Sequence, residues 1–317
     1  MRFQPEGPAI HVRGLSRSYG EIDAVREVSF EVARGEVFCL LGPNGAGKTT
    51  TVEILEGYRE RSGGEVSVLG FDPARGERGM RERVGIVLQQ CGIQQDLSIS
   101  ELLEMYGRYH RHPRPIDEVL ELVELDAKRG ERTRALSGGQ RRRLDLALAL
   151  IGDPELIFLD EPTTGFDPAA RRAAWSTIRS LCELGKTVFL TTHFMDEAQE
   201  LADRVAIMRD GEIIALGAPD ELGGRDARPA EIRFSLPARI GLDDLPLMPY
   251  ERCVLDHGRA LVVTHDPVVA LQLVTGWAID HELALAHLSV SQPTLEDIYL
   301  ELTAPRRDQP IGEEAIA

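Results

Sequence analysis

No stretch of this chain stays apolar and uncharged for the roughly 18 residues that a membrane-spanning helix requires. Met1-Arg2-Phe3-Gln4-Pro5-Glu6 opens no secretory signal, so the polypeptide itself is expected to be soluble and cytoplasmic. Basic charge is scarce: 36 Lys and Arg face 52 Asp and Glu, for a formal net charge of −16. A surface built to neutralise nucleic-acid phosphates needs the opposite balance, which removes DNA and RNA as expected partners. Cysteine is scarcer still. Cys39, Cys91, Cys182 and Cys253 are isolated, with no C-x-x-C pair and no histidine at metal spacing, which points to neutral thiols in a reducing compartment. His110-Arg111-His112 has no carboxylate or cysteine alongside it and reads as a solvated loop rather than a metal clip.

What is present is enough for one large and one smaller domain: 317 residues, 43% of them hydrophobic. The larger is organised around Gly42-Pro43-Asn44-Gly45-Ala46-Gly47-Lys48-Thr49, which fits G-x-x-x-x-G-K-[ST] at every fixed position. Val37-Phe38-Cys39-Leu40-Leu41 before it reads as a buried strand, and Thr49 to Glu56 after it as a helix ended by Gly57. The glycines let successive N–H groups converge on an anion at the positive end of the helix dipole. Lys48 is placed to reach the β- and γ-phosphates of a nucleotide, and the Thr49 hydroxyl to enter the shell of a Mg²⁺ ion.

Around this loop the pattern alternates. Val28 to Val32, Glu65 to Gly70 and Val84 to Leu88 read as strands, the last ending at Gln89-Gln90, and Tyr19 falls on a turn. Ser98-Ile99-Ser100-Glu101 has the form of a capping box for a helix from Glu101 to His110, with another from Ile116 to Leu125. Leu136-Ser137-Gly138-Gly139-Gln140 then leads into a helix that buries Leu144, Ala147, Leu148 and Ile151, which leaves Ser137-Gly138-Gly139 at a second anion-favouring N-terminus. Arg141-Arg142-Arg143 on its first turn reads as a solvated face. Glu155 to Leu159 is a central parallel strand that delivers Asp160 and Glu161 at its carboxyl end, and Lys186 to Thr192 is a neighbour that delivers His193 at the same edge.

With Gly42 to Thr49 and Leu136 to Gln140 both in place, residues 8 to 222 resemble the nucleotide-binding subunit of an ATP-binding cassette (ABC) transporter. The order of Gln89, Phe158-Leu159-Asp160-Glu161, Gly165-Phe166-Asp167 and His193 strengthens the resemblance; Phe166 stands where the family commonly has Leu. The resemblance implies ATP and Mg²⁺. Tyr19 would stack on adenine; Gly42, Asn44, Gly45, Gly47, Lys48, Thr49 and Thr50 would surround the phosphates. Thr49, Asp160 and Gln89, with Gln90 as the alternative in register, would reach the metal. Glu161 would polarise the attacking water, and His193 would contact the γ-phosphate. Ser137, Gly138 and Gly139 would close over ATP held by a second nucleotide-binding subunit, a homodimer being expected, and Gln140 and Asp167 would join the residues that bind the nucleotide.

The implied fold is α/β: a P-loop NTPase of the ABC type with a mixed-sheet core, an antiparallel β subdomain and an α-helical subdomain at about 98–150. A linker at 223–230, a small C-terminal α+β domain at 231–304 and a flexible tail at 305–317 complete the expected organisation, with the nucleotide-binding domain at 1–222. Gln292-Pro293-Thr294-Leu295-Glu296-Asp297-Ile298-Tyr299-Leu300 looks like the tail of daunorubicin-resistance-type exporter subunits. This subfamily implies a separate ABC-2 type membrane permease and peripheral attachment to the cytoplasmic face of the membrane. It also implies export of a drug, antibiotic or other hydrophobic compound. The competing reading is an ABC ATPase acting on nucleic acid or the ribosome. It lacks support here because the chain has no coiled-coil insertion, no zinc cysteines and one cassette only.

Overall fold

The computed structural model describes residues 7–87, 94–237 and 240–303. The chain divides into two compact units, Met1–Pro219 and Asp220–Ala317.

In the first unit, β1 (Ile10–Tyr19) and β2 (Ile22–Val32) form a hairpin, and β4 (Gly63–Val68) pairs antiparallel on the other side of β1. Alternation of buried and exposed residues in β2 follows from packing one face only. The second sheet has six strands in the order β5-β6-β7-β3-β8-β9: β3 (Val37–Leu41), β5 (Val84–Val87), β6 (Leu156–Asp160), β7 (Thr187–Thr192), β8 (Arg204–Arg209) and β9 (Glu212–Gly217). All but β9 run parallel. Every residue of β3 and β7 is buried, the signature of strands covered on both faces. Four phenylalanines join the two sheets. Phe30 of β2 stacks on Phe38 with centroids 5.2 Å apart, Phe38 lies 5.5 Å from Phe189, and Phe189 lies 5.6 Å from Phe158.

The helices of this unit are α1 (Lys48–Leu55), α2 (Arg78–Arg81), α3 (Ile99–Gly107), α4 (Ile116–Leu122), α5 (Gly138–Leu150), α6 (Pro168–Glu183) and α7 (Met195–Leu201). Helices α3, α4 and α5 pack on one another. The Ser98–Glu101 capping box is formed, but Ser98 is the cap itself, so α3 starts at Ile99 rather than at Glu101. The expected helix to Leu125 stops at Leu122, because Glu124 takes a left-handed φ of 53°. The strand expected to reach Gly70 ends at Val68 for the same reason, with Leu69 at φ 52°.

The second unit holds a four-stranded antiparallel sheet in the order β11-β12-β10-β13: β10 (Ala230–Ser235), β11 (Arg252–Asp256), β12 (Arg259–Thr264) and β13 (Ala286–Ser291). Helix α8 (Pro267–Asp280) covers it, burying Ala270 and Val274 against Ile232, Phe234 and Val262, and α9 (Leu295–Thr303) follows. Short helical turns over Leu222–Ala227 take up most of the stretch expected as a linker at 223–230. Strand β13 was not legible in the sequence. It is an edge strand with all six residues exposed, so it carries no apolar alternation. No described helix is long and apolar enough to cross a membrane.

Candidate functional site

The loop from Gly42 to Gly47 joins β3 to α1 at the carboxyl edge of the parallel sheet. Two of its glycines are dictated by space. A Cβ on Gly42 would strike the Met208 carbonyl oxygen, and Gly47 combines a φ of 103° with the Ala24 carbonyl oxygen where a Cβ would sit. Asn44, Gly45, Gly47, Lys48, Thr49 and Thr50 line a cavity of about 420 Å³ together with Asp160 and Glu161. Residues over a hundred positions apart thus meet because β3 and β6 end at the same edge, on either side of β7.

Lys48 is 5% exposed. Its Nζ donates to Gly42 O at 2.8 Å and Pro43 O at 3.1 Å and lies 3.9 Å from Glu161 Oε1. Burial lowers its pKa, while the Glu161 and Asp160 carboxylates oppose that shift. Asp160 closes β6 and accepts a 2.6 Å hydrogen bond from Thr191 Oγ1. Glu161 has a left-handed φ of 46°, an uncommon conformation for a residue with a side chain. Its N–H donates to both the carbonyl and the hydroxyl of Thr191 at 3.1 Å. One carboxylate oxygen accepts from Thr164 Oγ1 at 3.1 Å, and the other lies 3.2 Å from His193 Nδ1.

Other predicted residues are placed elsewhere. Tyr19, at the end of β1, does not line this cavity. Arg59 donates to its hydroxyl at 2.6 Å, and the Arg17 guanidinium sits 4.6 Å from its ring centroid. Ser137 caps α5 in a reciprocal pair with Gln140, whose N–H it accepts at 3.3 Å while Gln140 Oε1 accepts from Ser137 N at 3.0 Å. Gly138 and Gly139 open onto a second cavity of about 600 Å³, shared with Glu161, Thr164, Phe166 and Asp167. Asp167 caps α6, its Oδ1 accepting from the N–H groups of Ala169 and Ala170 at 2.9 Å. Gln89 and its alternative Gln90 lie outside the described residues. A larger open groove of about 860 Å³ between β2 and β9 contains none of the predicted site residues.

Three features escaped the sequence reading. Thr191 read only as a strand residue, yet it holds both Asp160 and the Glu161 backbone. Glu197 is buried and accepts from Thr163 Oγ1 at 2.8 Å and Trp175 Nε1 at 3.1 Å, tying α6 and the residues behind Glu161 to α7; burial pushes its carboxyl up, against these hydrogen bonds. Arg142 was expected on a solvated face. Instead its guanidinium donates to Asp160 O at 3.1 Å and Pro162 O at 3.3 Å.

The metal implied by the resemblance fits these residues. The Asp160 carboxylate and the Thr49 hydroxyl are hard oxygen donors on one cavity. Among the described residues no group of three or more His, Cys, Asp or Glu could cage an ion by itself. That suits a cation bound through a few protein oxygens and the substrate's phosphates.

A glycine-rich loop opening α1 from a buried strand, with a lysine and two carboxylates at one sheet edge, defines a P-loop nucleotide-binding cassette. The chain belongs to the ABC transporter ATP-binding family, among its exporter-type ATPases. Residues 25–164 match the ABC transporter family, and residues 230–294 match the C-terminal domain of ABC transporter domain-containing protein-like chains. The chain is 39% identical to the Nod factor export ATP-binding protein I of Ralstonia nicotianae, over 96% of this chain and 98% of that protein. It is 38% identical to a daunorubicin resistance ATP-binding protein of Streptomyces coeruleorubidus, over 94% and 97%. A dimeric bacterial ABC transporter cassette superposes with a TM-score of 0.58 at 27% identity, over 66% of this chain and 98% of that one. The protein is an ATPase that drives transport.

Proposed function

We propose that two copies of this chain pack head to tail, so that each ATP lies between the Lys48 loop of one and Ser137, Gly138 and Gly139 of the other. The observation that carries this reading is the separation of the two motifs. Lys48 lines one cavity and Gly138 and Gly139 another, the two sharing Glu161, so a single copy presents the two motifs in different cavities. The dimeric cassette among the structural relatives supports it.

Within that site the loop N–H groups and Lys48 hold the phosphates, and Thr50 extends the cradle. Glu161 accepts the proton of the attacking water. Its carboxylate is oriented for this by Thr164 and His193, and His193 turns toward the γ-phosphate. A Mg²⁺ ion held by Thr49 and Asp160, and by Gln89, would neutralise charge on the transferring phosphoryl group. Closure of the second copy excludes water other than the nucleophile. ATP binding draws the copies together, and hydrolysis to ADP and phosphate releases them.

This cycle drives a separate ABC-2 type permease, to which the protein attaches at the cytoplasmic face of the membrane. The cargo class is a drug, antibiotic or other hydrophobic compound, in keeping with the exporter names of its relatives. The test is Glu161→Gln: ATP binding is retained, turnover falls by at least about 100-fold, and ATP traps a dimer on size-exclusion chromatography. Normal turnover in this variant would remove Glu161 from its role.

A further inference from the structure

We propose that Arg142 is a positioning residue that ties the placement of Glu161 to the helix whose N-terminus meets the partner copy's ATP. The inference rests on the proposed function above for the roles of Glu161 and Ser137.

The geometry is a fork. Arg142 Nη2 donates to Asp160 O at 3.1 Å and Nε to Pro162 O at 3.3 Å, the carbonyls immediately before and after Glu161. The third nitrogen, Nη1, lies 3.9 Å from Asp145 Oδ2, one turn further along α5, and both side chains are largely buried. Glu161 itself adopts the left-handed φ of 46°, which persists only where the surroundings over-determine it. Thr191 fixes its N–H from the β7 side, and Arg142 fixes both flanking carbonyls from the α5 side. A lysine offers a single ammonium on a flexible stem in place of the rigid planar fork that here reaches two carbonyls through separate nitrogens.

Arg142 stands on the second turn of α5, five residues after the Ser137 cap. Both residues are held in one continuous 13-residue helix and its cap. Any displacement of Ser137, Gly138 and Gly139 as they seat on the partner's nucleotide is therefore passed to the Asp160 and Pro162 carbonyls and so to the Glu161 carboxylate. The contacts that place Glu161 are formed in the single chain, so the position of each copy's Glu161 follows the position of that copy's own α5. Seating of α5 on one ATP site is thereby coupled to the geometry of the other.

The test uses the full-length protein. Arg142→Lys keeps a positive charge opposite Asp145 but loses the fork, and Arg142→Met loses both; thermal melts establish that each variant is folded. In Arg142→Lys, kcat is expected to fall about 10- to 100-fold, with KM for ATP unchanged within about threefold. Adding Arg142→Lys to Glu161→Gln should leave the ATP-trapped dimer as abundant as in Glu161→Gln alone, because Ser137 is still presented. Wild-type kcat in both Arg142 variants would overturn the proposal. So would loss of the trapped dimer in the double variant in step with kcat, since Arg142 would then act through docking alone. Failure of Glu161→Gln by itself to trap a dimer would instead refute the proposed function, and this inference with it.

Discussion

Glu161 joins the proposed chemistry of this cassette to an uncommon backbone conformation. Its carboxylate faces His193, Thr164 and Lys48, while its backbone occupies the left-handed region. A second carboxyl, Glu56, is buried behind the site at the end of α1. Burial pushes its pKa up to about 8, with the Asp160 and Glu53 charges adding to the effect. The folded protein then holds a proton that the unfolded chain releases near 4.5. Stability is present below that pH and is lost as pH rises toward the folded value near 8. Glu56→Gln keeps the shape without the charge. Its stability relative to the parent should therefore grow between about pH 5 and about pH 8.5, reaching about 4 kcal/mol. Paired thermal melts at the two pH values check this; an equal difference at both would mean that Glu56 is ionised throughout.

Elements of the fold differ in how plainly the sequence announces them. The strand and helix flanking Gly42–Thr49 are legible because the motif is contiguous and its neighbours are uniformly apolar. The edge strand β13 and strand β9 carry no clear buried-exposed alternation: β13 buries nothing, and β9 is only half covered. The site shows the same division. Lys48, Asp160, Glu161 and His193 sit at ends of apolar runs and can be found one by one. The contacts of Arg142 with Asp160 and of Glu197 with Thr163 join residues 18 and 34 positions apart, across elements whose relative placement no local pattern encodes. The start of α3 is local again. Ser98 satisfies the Glu101 N–H and Glu101 the Ser98 N–H. Ser98→Ala should cost about 1 kcal/mol, read as a lower denaturant midpoint of the first unit with ATP affinity unchanged. An unaltered midpoint would show that the cap is redundant.

At the scale of the whole molecule, the two units keep separate cores. All the predicted site residues placed by the structure lie in the first. The separate core of the second, without any of these residues, motivates the proposal that this unit is regulatory or supports the dimer. A chain ending after Leu222 should therefore still bind ATP, while its Glu161→Gln form traps less dimer. Dimerisation, ATPase activity and transport all equal to those of the full chain would count against the assignment.

The proposed division of one ATP site between two copies has a kinetic and a genetic consequence. Hydrolysis becomes second order in protein when the copies are dilute, so newly made or unassembled subunits leave the cell's ATP untouched. A copy damaged at Ser137 can still pair with an intact one and spoil one of the two sites they share, so such an allele is expected to interfere with the wild type rather than be silent beside it.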